Sequence, residues 1–364
     1  MRIALIGDAQ SPHLLKWARA LDAAADVELW VASSRGFLPA FDGVLPPYRR
    51  LALEFDPSHG GGNIALLASL PRLAAWLRRV DADWLHAHYL TSHGTLAWLA
   101  KRLWRLRGRI VGSAWGSDIL LTPERSASYR YLTRRVLHAC SLTTSDSVHM
   151  AQRMRELGAA EVMTFPFGLE ALPSEPGPKE PWLFFANRGL EPLYRPERVL
   201  AVFAAVAAAQ PQARLVVAND GSLADGLPAK ARALGLSVGD VDAGGQVQFV
   251  GRLDSEAQAR WYARASWYFS LPESDSVSVS LLEAMAHGCV PILSDLPANR
   301  ELVRNGDNGF ILGDDEWPDQ SRMRALLGRG RELARVNRAW VQAHGMFEPC
   351  VQRFLARLRE LSAT

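Results

Sequence analysis

The chain has too few cysteines to build anything on. Cys140, Cys289 and Cys350 are scattered, with no C-x-x-C pair and no histidine at ligand spacing, which argues against a disulfide framework or a cysteine-based metal centre and suits buried thiols in a reducing compartment. No apolar run has the length of a membrane span. Residues 1–6 are too short for a secretory leader because Asp8 follows at once, so a cytoplasmic location is expected. An excess of one charge is also missing: 41 Lys and Arg against 38 Asp and Glu leave a formal charge of +3, and no nucleic-acid partner is expected. Finally, there is no G-x-G-x-x-G. Residues 2–7 (RIALIG) read as a buried strand and 7–13 as its loop into a helix, but without the glycine pattern that would suggest a dinucleotide, so an oxidoreductase is not expected.

What remains is an ordinary globular composition, 48% hydrophobic over 364 residues, too long for one typical core and suited to two domains. Short apolar runs at 2–7, 27–32, 84–88, 110–114, 142–145 and 162–165 alternate with helical patterns, and the alternation restarts with strands at 182–186, 213–218, 247–250 and 267–271. Such alternation predicts α/β architecture with two Rossmann-like domains. Between the halves lies GLEALPSEPGPKEP, too rich in proline and glycine for regular structure. The expected organisation is an N-terminal domain over 1–170, a hinge over 171–181, a second domain over 182–340 and a C-terminal helix over 341–364. That last helix, about 340–361, is expected to kink at Pro349. Residues 39–62 form a long connection of the kind that is often functional or mobile.

The chain is organised around residues 270–294. An aromatic strand-like run ends at Leu271, a small polar stretch follows, and Leu281 to Ala286 form an amphipathic helical run closed by Gly288. A loop feeding a helix start presents free N–H groups and the positive end of a dipole, which suits phosphate. Asp275 stands at the start of this loop and Glu283 eight positions on. A helical Glu behind bound phosphates would repel them unless it accepts hydrogen bonds from neutral hydroxyls such as a ribose diol. A solvated Glu with a capping Ser and Asp is the competing reading.

The run LLEAMAHGCVPILSD and the Asp275/Glu283 pair resemble the signature of the retaining glycosyltransferases of family 4, which have the GT-B fold: two Rossmann-like domains facing across a cleft, with a C-terminal helix crossing back to the first. By that resemblance Glu283 binds the donor ribose, Asp275 contacts the donor sugar, and the backbone of Ser276, Val277, Ser278, Val279 and Ser280 holds the diphosphate. Asp275 replaces the family's usual Glu, and Ser276-Val277-Ser278 its glycine-rich turn. Arg188 matches the family's diphosphate-clamping arginine and Arg195 its second cation, with Tyr194 a competing alignment. Asn219 falls in the family's Gly-rich turn, and Gly251, Arg252 and Leu253 fall where backbone meets the nucleobase. In the first half, the resemblance brings Gly7, His88, Trp115, Gly116 and Asp118 to the donor sugar and acceptor. Trp115 stands where the family has a histidine, so His88 or Asp118 would have to stand in for it. The implied reaction is retaining transfer from a nucleoside diphosphate sugar, UDP before GDP, to a hydroxyl of a glycan, lipid-linked or small-molecule acceptor, with no cofactor. Two cations replacing a metal imply no metal requirement, and Asp240-Val241-Asp242 reads as incidental. Cell-envelope polysaccharide assembly is the family's habit. A non-catalytic nucleotide-sugar-binding partner and a GT-B epimerase are the alternatives.

Two features carry other chemistry. His86 and His88 alternate on a strand, which places both rings on one face as a metal site would need; no further ligand lies nearby, and His86 reads as a core residue. Residues 95–109 carry Trp98, Trp104 and several cations with no acid among them, and 129–138 add Arg130, Arg134 and Arg135. Such faces suit an anionic membrane surface, or else a solvated basic face with its tryptophans turned inward.

Overall fold

The computed structural model describes residues 1–55 and 67–363, divided into two compact units, one of residues 1–166 with 347–364 and one of residues 167–346. In the first unit a seven-stranded sheet comprises β1 (Arg2–Gly7), β2 (Glu28–Ser33), β3 (Arg50–Ala52), β4 (Trp84–His88), β5 (Arg109–Ser113), β6 (Cys140–Ser145) and β7 (Val162–Thr164), all parallel, in the order 3-2-1-4-5-6-7. In the second, β8 (Glu180–Ala186), β9 (Arg214–Ala218), β10 (Val247–Gly251), β11 (Ala265–Ser270), β12 (Val290–Ser294) and β13 (Phe310–Leu312) run parallel in the order 10-9-8-11-12-13. Each order reverses direction once, between β1 and β4 and between β8 and β11. At such a switch the connections leave to opposite sides and open a crevice beyond the strand ends.

Most strands are rich in apolar residues because helices cover both faces, with β6 (CSLTTS) and the histidines of β4 as exceptions. Consecutive residues take opposite sides: Phe184, Trp267 and Phe269 pack with Phe203 on one face of the second sheet, and Leu183, Phe185 and Tyr268 pack with Leu281, Leu282 and Met285 on the other. Strands β3, β12 and β13 were not anticipated. β3 and β13 have three residues each, too few for a run to stand out, and β12 follows α5 after only three residues.

Five helices matter below. They are α1 (Pro12–Asp22), α2 (Thr95–Trp104), α3 (Ala127–Ala139), α4 (Ser255–Arg264) and α5 (Val279–Ala286). Two more follow, α6 (Gly330–His344) and α7 (Phe347–Ala363). The expected single C-terminal helix is therefore two, broken at Gly345 and Met346 rather than kinked at Pro349. Pro349 lies in the first turn of α7, where its missing N–H is not needed. Helix α7 packs on the first unit: Trp17 of α1 meets Phe347 and Phe354 edge-on at 5.1 and 5.3 Å, and Arg357 makes a forked pair with Glu161 at 2.7 and 2.8 Å.

The segment read as a hinge is built into the second unit. Arg338 of α6 donates to the carbonyls of Pro173 and Ser174, and Lys179 to that of Tyr262. The amide of Leu169 donates to Gly345 O at 2.8 Å, so closely that a Cβ on Gly168 would overlap that same carbonyl. Gly168→Ala should destabilise the second unit by about 1–3 kcal/mol, and the melting temperature reads this as a fall of several degrees. An unchanged melt would show that the two segments separate freely. Of the connection over 39–62, residues 39–55 form tight helical turns and β3; the remainder lies outside the described residues.

Candidate active site

Arg188 leaves the end of β8 and Asp275 follows β11, so the two meet at the switch point of the second sheet. Their ion pair is 2.6 Å long with 17% and 20% of the side chains exposed. The guanidinium also lies over the Tyr194 ring at 4.6 Å, and its Nε has no hydrogen-bond partner among the described residues. Burial pushes the Asp275 carboxyl above its usual range, while the Arg188 charge and the Ser276 amide draw it partly back. Burial works against the charge on Arg188, but Asp275 and the surrounding tyrosines outweigh it and the group stays cationic. A buried cation at a strand end, with one donor unspent, is a ready anchor for a second anion.

Beyond Asp275 the loop turns into α5. Ser278 has extended backbone and its hydroxyl caps the amide of Leu281 at 3.2 Å, which starts the helix at Val279. The amides of Val279 and Ser280 therefore precede the first internal helical bonds and are available to an anion. Ser276 and Val277 are buried, and the Ser276 amide already bonds Asp275 Oδ1 at 3.0 Å. Of the five loop residues expected to hold phosphate, the other three, Ser278, Val279 and Ser280, are partly exposed. Glu283 lies one turn into α5, half-buried, and accepts from the Tyr262 hydroxyl at 3.2 Å.

The turn expected to meet the base follows β10. Gly251 has φ +67° and faces open space, where a Cβ would meet nothing within 4 Å. Its carbonyl accepts from the amide of Asn219, whose side chain bonds the carbonyl of Asn187. Arg252 is exposed, and Leu253 O accepts from Gln258.

Two expectations are corrected, and the basic helix follows the second of its two readings. Arg195 does not join Arg188: its guanidinium bonds the carbonyls of Leu271 and Pro272 and the carboxylate of Asp314, which fixes the strand end, and Tyr194 takes the place beside Arg188. Asp118 is fully buried and cannot replace the missing histidine. Its two oxygens accept from the amides of Leu90 and Trp115 at 2.8 and 3.0 Å, binding the loop after β5 to the turn after β4. The tryptophans of α2 are packed against the core, and Lys101 is spent on the carbonyls of Leu106, Arg107 and Gly108. Arg107 pairs with Asp81 and Arg130 with Glu124, acids from neighbouring segments. An exposed basic face remains at Arg102, Arg105, Arg134 and Arg135 with Leu103 and Tyr131.

The first unit gathers its own group at the β1/β4 switch. Gly7 ends β1, and a Cβ there would meet Leu14 Cδ1 at 2.6 Å and His88 Cβ at 3.4 Å. His88 ends β4 and is buried; its Nδ1 accepts from the Trp115 indole at 3.2 Å, and its Nε2 has no hydrogen-bond partner among the described residues. Burial, then the neighbouring histidines, hold His88 well below its usual pKa, so it is neutral with the proton on Nε2. Trp115 also meets His13 at 5.1 Å and stacks near Tyr89, a residue with φ +65° at the head of a wide turn over Tyr89–Gly94. Gly116 has φ +111°, which only glycine adopts easily and which turns the chain so that Trp115 faces this group. His86 bonds Ser113 in the core, and among the described residues no three His, Cys, Asp or Glu side chains are disposed to hold a metal. No helix among them is long and apolar enough to cross a membrane.

Sequence reasoning missed buried Asn187 and Tyr262 and half-buried Gln258, which are linked by hydrogen bonds behind Glu283. Gln258 and Tyr262 lie one turn apart on α4, but nothing in the sequence ties that face to Asn187, which follows β8 some seventy positions earlier.

Comparison with known proteins shows the family and the fold. A family described as "Glycosyl transferase 4-like" matches residues 2–155, and one described as "Glycosyl transferases group 1" matches residues 170–334. N-acetyl-alpha-D-glucosaminyl L-malate synthase of Bacillus anthracis is 26% identical over 263 residues, 68% of this chain and 66% of that protein, just under two thirds of its length. Among solved structures, Anabaena HepE in complex with UDP is similar at a TM-score of 0.75 and 15% identity, covering 99% of this chain and 100% of that one. Sucrose-phosphate synthase of Thermosynechococcus elongatus is similar at 0.73 and 16%, covering 100% and 99%.

Proposed function

We propose, on the premise that this chain belongs to family 4 of the glycosyltransferases and has the GT-B fold, that it moves a sugar from a nucleoside diphosphate sugar to a hydroxyl acceptor with retention. The observation that carries this reading is Arg188 and Asp275 paired at the strand switch beside the start of α5. UDP is the expected nucleotide, in keeping with the UDP and UDP-glucose held by HepE. Glu283 takes the ribose hydroxyls, the turn at Gly251 the base, and Arg188 with the amides of Val279 and Ser280 the diphosphate. The acceptor oxygen bonds the anomeric carbon as the bond to the β-phosphate oxygen breaks, and the departing phosphate takes the acceptor proton. Asp275 orients the sugar and supports positive charge at the anomeric carbon. Arg188 neutralises the leaving group without a metal.

The acceptor belongs to the first unit, at His88 and Trp115. The Bacillus anthracis relative, named for a malate product, supports a small hydroxyl compound, while the basic face of α2 and α3 supports a lipid-linked glycan in envelope assembly at the cytoplasmic membrane.

Thermal melting with UDP, GDP, ADP and dTDP, with magnesium or with chelator, tests the donor assignment. UDP at about a hundred times its Kd should add about 2.7 kcal/mol, a rise of several degrees, equal with and without magnesium. No shift with any nucleotide would overturn the assignment.

A further inference from the structure

Behind the groups assigned to the donor runs one continuous chain of hydrogen bonds, buried at its centre and part-buried at its ends. Gln258 of α4 donates through Nε2 to Leu253 O, at the turn assigned to the base, and accepts through Oε1 from Asn187 Nδ2 at 2.7 Å. The second Asn187 N–H goes to the Tyr262 hydroxyl, also at 2.7 Å, and Asn187 Oδ1 accepts from Tyr268 at 3.0 Å. Every polar atom of the Asn187 side chain is used, which fixes its orientation. With one lone pair occupied, Tyr262 has a single proton to give, and it lies between Ser280 O and Glu283 Oε2, each 3.2 Å away. Sharing between two acceptors accounts for the length of both bonds.

Tyr262 is 1% exposed, and its ring is wedged between Phe185 at 5.0 Å and the face of His287 at 5.5 Å. Its backbone carbonyl is held by Lys179 and Cys289. Neither the ring nor its hydroxyl has another place to go. Burial, with Tyr268 and Glu283 adding to it, holds the phenol well above its usual pKa, so it remains a donor at any working pH.

We infer that Tyr262, with Asn187 and Gln258 behind it, is the positioning residue that aims Glu283 at the donor ribose and ties it to the base turn. This rests on the donor-site reading above. A carboxylate on a surface helix has free rotamers. A hydrogen bond from a locked phenol to Oε2 restricts that freedom and fixes which way the carboxylate faces. Asn187 is also the residue before Arg188, so the same chain reaches the diphosphate anchor through one peptide unit.

The test compares the affinities of UDP and 2′,3′-dideoxy-UDP by calorimetry in wild type, Glu283→Gln and Tyr262→Phe. The wild type should prefer UDP, and E283Q should lose the preference. Y262F should weaken UDP by about tenfold and leave the dideoxy nucleotide unchanged. The double variant should match E283Q. If E283Q loses the preference while Y262F keeps it, or weakens both nucleotides equally, the inference fails and the donor site stands. If E283Q keeps the preference, or wild type does not bind UDP, the donor-site reading fails and takes the inference with it. Should Y262F be too unstable to purify, Gln258→Met, at the half-buried end of the chain, should show the same selective loss at roughly threefold; an unchanged preference there overturns the inference.

Discussion

Replacing Arg188 with alanine should lower kcat/KM for the donor by about a hundred- to a thousandfold and make the fold itself sensitive to pH. The catalytic loss follows from removing the buried cation that would meet charge developing on the leaving diphosphate. The pH effect follows from its partner. In the wild type, burial raises the Asp275 carboxyl and Arg188 draws it back; without Arg188 mainly the raising influence remains. A carboxyl whose folded pKa lies above its unfolded one binds more protons folded than unfolded between those values. Stability is then fully present below the ordinary carboxylate range and is lost as pH rises through the raised pKa. Losing one partner of a buried pair costs about 3–5 kcal/mol, and the lower end applies where a fifth of the carboxylate side chain is exposed. The melting temperature of R188A should approach that of wild type at pH 5 and fall well below it at pH 8. A gap constant across pH, with UDP binding intact, would remove Arg188 from the donor site.

The converse variant, Asp275→Asn, separates binding from turnover. Asn keeps the shape and loses the charge, so Arg188 is released from its 2.6 Å partner and its whole charge becomes available to phosphate. UDP should bind as tightly as to wild type or more tightly, whereas transfer falls by about a hundredfold or more, because nothing then supports positive charge at the anomeric carbon. Isothermal titration and a single-turnover assay read the two effects independently. Turnover and affinity both at wild-type level would deny Asp275 any part in the reaction. Equal losses in both would make it a binding residue only. The two variants thus assign opposite consequences to the two halves of one ion pair, which a purely structural salt bridge would not produce.

The periodic part of this structure was legible from the chain. Ten of the thirteen strands could be read from the sequence, most of them from short apolar runs, since a parallel strand covered on both faces favours apolar residues. The start of α5 was visible to within two residues because capping by Ser278 is a local matter. Local reasoning failed where a residue's partner comes from elsewhere. Asp118 was read as available, yet one oxygen accepts from the amide of Trp115, three positions away, and the other from that of Leu90, 28 positions away. Arg195 was expected beside Arg188, but its αL backbone at φ +46° turns its side chain to the strand end that carries Leu271.

The sequence by itself determined the two α/β halves, the acid pair eight residues apart, and the polar loop between strand and helix, because each depends on residues within a few turns of one another. Only the tertiary structure decided the strand order, and with it that β8 lies beside β11, bringing Arg188 to Asp275 across 87 positions of chain. It also decided that Tyr262, Asn187 and Gln258 form one chain behind Glu283. Hydrophobic periodicity specifies which face of an element is buried, but not which neighbour buries it. That choice is made by packing and hydrogen-bond satisfaction over the whole unit, since a buried polar group left unpaired costs more than a paired one gains.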